Sequence, residues 1–354
     1  MHTETMDRQA FELVAKAMQR LDDYNRDRQL SFLQDAESVL AQAITRDAQY
    51  LDASFYAGVV KDLIGKSADA VPFFDRILSN LPKESEDRRD VVQYGRGVAW
   101  YHQYSHSKLE QAEKDFLGII DRSKDRNLRL LARAGLAQTY AMWMIPRTSG
   151  KAKLRKGEGA DELKFIETKR GQCLKQIDLL NERQSKSGFR YPKQPTALFA
   201  GPIEGTILNA SGMCTMYWTD YNVKDAVDRR KLILEAIGYL EQANKYLPGD
   251  WANTCDMASA HLRMGVVLRQ LGSDFEPEFQ KALALLRSVI DDLRPNYGFA
   301  FYEMGRIYRV WKHFDEAKAS FKESLDIPDE YRDAAVSTVT AELNRAEEGD
   351  SSFP

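Results

Sequence analysis

The chain is poor in cysteine, has no long hydrophobic run and carries almost no net charge. Each shortage removes a class of protein. Three cysteines, Cys173, Cys214 and Cys255, stand in 354 residues. So few, odd in number and isolated, they do not frame a disulfide-stapled domain and read as thiols in a reducing compartment. Their equal spacing is treated as chance. No stretch approaches the roughly 20 apolar residues that span a bilayer, and the opening residues carry Glu4 and Asp7 with no apolar run of signal-peptide length. A cytoplasmic location and no membrane partner are the expectation. Lys plus Arg number 50 against 53 Asp plus Glu, a formal charge of -3. That balance gives no reason for wholesale binding to nucleic acid or a membrane surface.

The signatures of chemistry are also missing. Gly150-Lys151 lies in a basic loop, but lacks the upstream glycine, the following Ser or Thr and the preceding strand of a phosphate cradle. His102 and His106 are four apart, yet no glutamate follows the first and no third ligand is evident; they read as a surface pair. There is no Gly-x-Ser-x-Gly elbow and no Cys-x-x-Cys. The expectation is a protein that is not an enzyme and needs no cofactor or metal.

What is present is repetition in a chain 43% apolar, enough for a sizeable core. Counting Gly298 as position 1, Phe301, Met304, Gly305, Tyr308, Phe314, Ala317, Phe321 and Pro328 fall at 4, 7, 8, 11, 17, 20, 24 and 31. From Leu51, the residues Gly58, Gly65, Ala70, Phe74, Ile77 and Pro82 fall at 8, 15, 20, 24, 27 and 32. Parts of the pattern recur at Ala36/Leu40/Ala43/Ala48, at Ala112/Phe116/Ile119, at Leu136/Ala137/Tyr140 and at Ala236/Leu240/Ala243/Pro248. A further unit opens with Gly265, Leu268 and Gly272 and closes, after a four-residue insertion, with Ala282, Leu286, Val289 and Pro295. Small residues at positions 8 and 20 let two antiparallel helices approach, a bulky residue at 24 fills the gap, and proline ends the second helix.

This pattern resembles the tetratricopeptide repeat, a helix hairpin of 34 residues. The resemblance covers most of the chain in six or seven units, apart from about Ile145 to Ala200 and both ends. It implies an all-α, right-handed superhelical solenoid of helix hairpins with a capping helix. Each hairpin buries its apolar face on its neighbours. The expected organisation is N-terminal repeats over 1–144, a basic insertion over 145–202, C-terminal repeats over 203–331, a capping helix over 332–348 with Ala334, Val336, Val339, Leu343 and Ala346 on its apolar face, and a frayed tail over 349–354. Residues 8 to 26 read as an amphipathic first helix, with Phe11, Val14, Met18 and Leu21 on one face.

The insertion breaks the rhythm. A glycine-containing loop with Arg147, Lys151, Lys153, Arg155 and Lys156 precedes a helix from about Asp161 to Gln184, striped by Leu163, Ile166, Leu174, Ile177 and Leu180. An irregular stretch with Pro192, Pro195 and Pro202 follows. Residues 145–200 hold 13 Lys plus Arg and 6 Asp plus Glu, so they carry +7 and the remainder about -10. Such an excess reads either as a docking surface or as a solvated connector.

In similar repeats the first helix of each hairpin lines a concave groove. Carried onto this sequence, the inward positions hold Phe299, Tyr302, Glu303, Arg306, Arg309 and Val310 in one unit and Ser259, Leu262, Arg263, Val266, Arg269 and Gln270 in the one before. Arg263, Arg269, Arg306 and Arg309 would then converge beside Tyr302 as exposed charges suited to an acidic peptide. The family's Lys and Asn carboxylate clamp is absent. The N-terminal half would offer Phe55, Tyr94, Tyr101 and Tyr104, with Tyr56, Val59 and the acids Asp52 and Asp62. The resemblance implies a non-catalytic adaptor holding a protein or peptide in its groove. The alternative is a subunit of a nucleoprotein or regulatory complex whose basic insertion contacts nucleic acid or an acidic partner. The partner's identity and the oligomeric state are not set by the sequence.

Overall fold

A computed structural model describes residues 7–27, 29–82, 85–103, 106–144, 158–187, 203–222, 225–294, 297–328 and 336–353. The described residues form α-helices with no strand among them. The chain divides into two compact units, with the division after Leu136. The first holds α1 (Arg8–Asp27), α2 (Leu30–Arg46), α3 (Leu51–Leu63), α4 (Ser67–Asn80), α5 (Glu86–Tyr101), α6 (His106–Arg122) and most of α7 (Arg126–Met142). The second holds the end of α7, then α8 (Glu158–Ser187), α9 (Ile203–Asn222), α10 (Ala226–Tyr246), α11 (Trp251–Gln270), α12 (Glu276–Ser288, running into a π turn, Val289–Leu293), α13 (Gly298–Trp311), α14 (Phe314–Asp326) and α15 (Val336–Glu347).

Within each unit the helices pack as consecutive hairpins: α1 with α2, α3 with α4 and α5 with α6, then α9 with α10, α11 with α12 and α13 with α14. Glycine sets the closest approach in every pair except α1 with α2. A Cβ built on Gly58 would lie 2.8 Å from the Phe74 ring, and one on Gly305 2.5 Å from Phe321. These are positions 8 and 24 of the two clearest repeats. Phe116 fills two such gaps, at Gly97 and Gly135, and Leu240 fills the one at Gly212. At Gly265 the filling side chain is Phe279, at 2.4 Å. The four-residue insertion had pointed the pattern at Leu286 instead; Leu286 is buried, but two turns further on.

Helix ends follow local chemistry. Asp225 accepts from the amides of Val227 and Asp228, and Asp250 from that of Asn253, satisfying first-turn donors that have no helical partner. Pro82, Pro248 and Pro328 follow the ends of α4, α10 and α14, where a residue without an amide hydrogen cannot continue the helix.

The spacing is looser than 34. First helices begin at Arg8, Leu51, Glu86 and Arg126, steps of 43, 35 and 40, and then at Ile203, Trp251 and Gly298, steps of 48 and 47. The buried face of α1 is Ala10, Val14, Ala17, Leu21 and Tyr24, whereas Phe11 and Met18 are exposed. Counting large residues alone rotated the expected face, because alanine is the residue that lets α2 come close. The helix of the basic insertion is α8, and it is not detached: Ile166, Cys173, Ile177 and Leu180 are buried, and α8 packs on α9. Cys173 on α8 and Cys214 on α9 are both buried free thiols. α15 covers α14 with Val339 and Ala346 against Ala317 and Phe321, leaving Val336 exposed.

Candidate functional site

In the second unit α9, α11 and α13 touch one another side by side, so residues one hairpin apart face each other. The wall they form is polar. The Gln138 amide donates to Asn209 Oδ1 at 2.9 Å, and Asn209 Nδ2 donates to Asn253 Oδ1 at 3.1 Å and Asp256 Oδ2 at 2.9 Å. Burial pushes the Asp256 carboxyl up to about 7 and Asp250 adds to the rise, while the Asn209 hydrogen bond opposes it. Further along, Arg263 donates to Asp220 from Nε at 3.1 Å and from its terminal nitrogen at 2.6 Å. The Ser259 hydroxyl donates to Glu303 Oε2 at 3.3 Å, and Arg306 grips Glu303 Oε1 at 2.6 Å.

The four arginines are therefore not the exposed charges expected. Arg263 and Arg309 are buried, and Arg263 is offset by Asp220, Arg306 by Glu303 and Arg309 by Glu342. Arg269 donates to the Val310 carbonyl. Four neighbouring cations on first helices would repel unless neutralised, and here the chain supplies the carboxylates itself. Tyr302 does lie beside Arg306, 5.7 Å from ring centre to guanidinium, and burial pushes its phenol up to about 12. The aromatic set of the first unit needs the same correction. Tyr94 packs on Phe116 and is buried, as is Tyr101; Phe55 is half-buried between Tyr56 and Phe74. His102 is no surface residue either, since its Nδ1 lies 3.0 Å from Asp62 and its side chain is half-buried. Tyr104, Arg147, Lys151, Lys153, Arg155 and Lys156 lie outside the described residues, and so does the side chain of His106.

The segment after α15, expected to fray, is held in place. Gly349, with φ 71°, turns the chain back, and the Asp350 amide closes on the Arg345 carbonyl at 2.8 Å. Buried Arg309 donates to the Asp350 carbonyl at 2.8 Å and the Ser352 carbonyl at 2.7 Å. Arg345 donates to Asp350 Oδ2 at 2.8 Å, to the Ser352 carbonyl at 2.9 Å and to its hydroxyl at 2.6 Å. The Ser352 amide and hydroxyl, with Arg345, hold the Asp350 carboxyl below the usual carboxylate range. The Phe353 ring centre then lies 5.1 Å from the Arg306 guanidinium and 5.9 Å from that of Arg263. Two inward arginines thus meet in one aromatic side chain of the same protein.

These geometries, glycine against ring at the hairpin crossings and first helices side by side, decide the architecture. The chain is a tetratricopeptide-like solenoid. No protein-family model and no curated protein matches it. Solved structures similar to it include a tetratricopeptide repeat protein from Parabacteroides merdae, at 12% identity and a TM-score of 0.44, covering 96% of this chain and 99% of that one. The P58(IPK) TPR domain is similar at 13% identity and 0.29, covering 95% and 98%, and yeast Tom70 at 10% and 0.20, covering 97% and 96%.

Among the described residues no group of three His, Cys, Asp or Glu side chains is placed to hold a metal ion, and no helix is long and apolar enough to cross a membrane. Position-by-position reading placed Glu303 inward but missed Asp220, Asp256, Glu342 and the tail. A signal for Asp220 and Glu303 exists in the spacing of the facing pairs: Asp220 to Arg263 is 43 residues, and Asn209 to Asn253 and Ser259 to Glu303 are each 44.

Proposed function

We propose that the protein is a non-catalytic interaction scaffold whose second unit holds an extended peptide segment of a partner protein against α9, α11 and α13. The observation that carries this reading is the capture of residues 350–353 through main-chain carbonyls by Arg309. Carbonyl recognition does not depend on side-chain identity, so the same donors suit any extended strand of chain. Arg263, Arg306 and Tyr302 are the residues assigned to the ligand's side chains, with Arg269 at the edge of the wall. Three free buried thiols fit a cytoplasmic setting. The surplus of +7 over residues 145–200 favours a second reading, in which that basic stretch contacts nucleic acid or an acidic partner.

The test is capture of partners by the intact chain from its host, followed by mass spectrometry, beside an Arg306→Gln variant whose cooperative melting has been verified. The expected result is a protein recovered by the wild type and lost by the variant. Equal recovery by both removes this wall from consideration. Recovery of nucleic acid that falls steeply with salt, as counterion release requires, supports the second reading instead.

A further inference from the structure

We infer that the segment Gly349–Phe353 is a built-in occupant of the α11–α13 wall, and that partner segments which displace it share its chemistry: an acidic residue followed three positions later by an aromatic one. The inference rests on the scaffold reading above and adds the ligand class and its competitor.

Three features of the segment match a ligand better than a helix terminus. Its carbonyls are gripped by two arginines on different helices, Arg309 from α13 and Arg345 from α15. A helix stop needs only the turn at Gly349, which the Asp350 amide completes. Everything beyond that turn is additional binding. The side chains then divide the work: Asp350 meets Arg345, and Phe353 lies over Arg306 and Arg263. A guanidinium beside an aromatic face is attractive, more so away from water. Arg263 and Arg306 are already paired with Asp220 and Glu303, so the wall at Phe353 is near neutral and selects a ring over a second carboxylate.

The geometry makes the segment a tethered competitor. A short tether gives a local concentration on the order of millimolar, so for a segment of intrinsic Kd about 0.1 mM a competing partner binds about tenfold more weakly to the intact chain than to a chain without the segment.

The experiment uses a fluorescent synthetic peptide spanning Gly349 to Pro354 and three proteins: the intact chain, a chain lacking 349–354, and an intact-length Asp350→Ala/Phe353→Ala variant. The double variant keeps the carbonyl contacts to Arg309, so a release can be read even where the deletion fails to fold; helicity by circular dichroism verifies both. The expected result is that the deletion and the double variant bind the peptide about tenfold more tightly than the intact chain, and that the peptide loses binding when its own Asp350 or Phe353 is alanine. Equal binding by the intact chain and a folded variant overturns the inference, as does equal binding of the alanine peptides. A concentration-dependent dimer of the intact chain that the deletion abolishes also overturns it, because the segment would then belong to a second copy. Equal capture of the same host partner with and without the segment sinks the competitor and leaves the scaffold standing; undiminished capture of that partner by Arg306→Gln sinks the wall itself.

Discussion

In the first unit Arg88 meets Asp52 with both side chains nearly half exposed, at 46% and 45%. In the second, Arg309 meets Glu342 at 0% and 5%. The residue types are the same and both pairs bridge different helices, yet the energetic roles differ. An exposed pair works in high dielectric and contributes about 0–1 kcal/mol. A buried pair has lost its water, so removing one partner strands a charge and costs about 3–5 kcal/mol. The Arg88–Asp52 pair thus decorates the surface of the first unit, whereas Arg309–Glu342 is part of the packing of the second and of the wall that holds residues 350–353.

The largest expected effect tests that contrast. Arg309→Ala should lower stability by about 3–5 kcal/mol in urea unfolding, and Arg88→Ala by less than about 1 kcal/mol. Replacing the whole buried pair, Arg309→Met with Glu342→Leu, should recover most of the loss, since an apolar pair of similar volume needs no solvation. Equal costs for the two single variants would end the distinction between the units.

Next in size are the hairpin crossings, where the two units should agree. Gly58→Leu in the first unit and Gly305→Leu in the second both drive a side chain into a phenylalanine ring, and each should cost about 1–3 kcal/mol or more. Gly238, inside α10 with nothing within 4 Å of a Cβ, is the control: Gly238→Ala should stabilise by about 0.5–1 kcal/mol. Wild-type melting for Gly305→Leu would mean the helices do not cross there.

These crossings also mark how far the sequence could be read. Gly58 with Phe74 and Gly305 with Phe321 were visible because a glycine and a large ring at fixed separation are rare together and have one packing solution. Phe279 against Gly265 was missed because an insertion shifted the count. The wall was less legible for a physical reason: an inward position on a first helix does not say whether its charge faces water or another charge. Arg263 was singled out, but Asp220, which neutralises it, lies a hairpin away and outside any 34-residue frame. The tail looked like a polar end because its binding depends on main-chain carbonyls, which no side-chain pattern records.

A third prediction uses pH. The Asp256 carboxyl is pushed up to about 7 from an ordinary value of 3.8. The folded state therefore binds more protons than the unfolded chain between those values, and stability falls as pH rises from about 4 to 7, by on the order of 2 kcal/mol. Asp115 of the first unit is also raised by burial, but Arg96 grips it through two nitrogens, at 2.9 and 2.7 Å, and opposes the rise. Asp256 has a neutral amide, Asn209, in that place. Asp256→Asn should flatten the decline in urea midpoint over this range, whereas a slope unchanged by the substitution would assign the dependence to other groups.

The smallest effect compares turns. Four first-position helices or caps close in the same way, with a bond from residue i+5 back to residue i: Lys66 to Lys61, Ser273 to Leu268, His313 to Tyr308 and Asp350 to Arg345. The closure needs a left-handed residue just before its end. Gly65, Gly272 and Gly349 supply it, but the second unit puts Lys312 there, with φ 70°. A Cβ in that region costs about 1–2 kcal/mol, whereas glycine gives back part of the gain by freeing the unfolded chain. Lys312→Gly should therefore stabilise by up to about 1 kcal/mol, and Gly65→Ala in the first unit should destabilise by a similar amount. Opposite signs in the two melting curves would tie both turns to one backbone requirement. A loss of stability in Lys312→Gly would mean that the lysine stem contributes more by packing than its backbone strain costs.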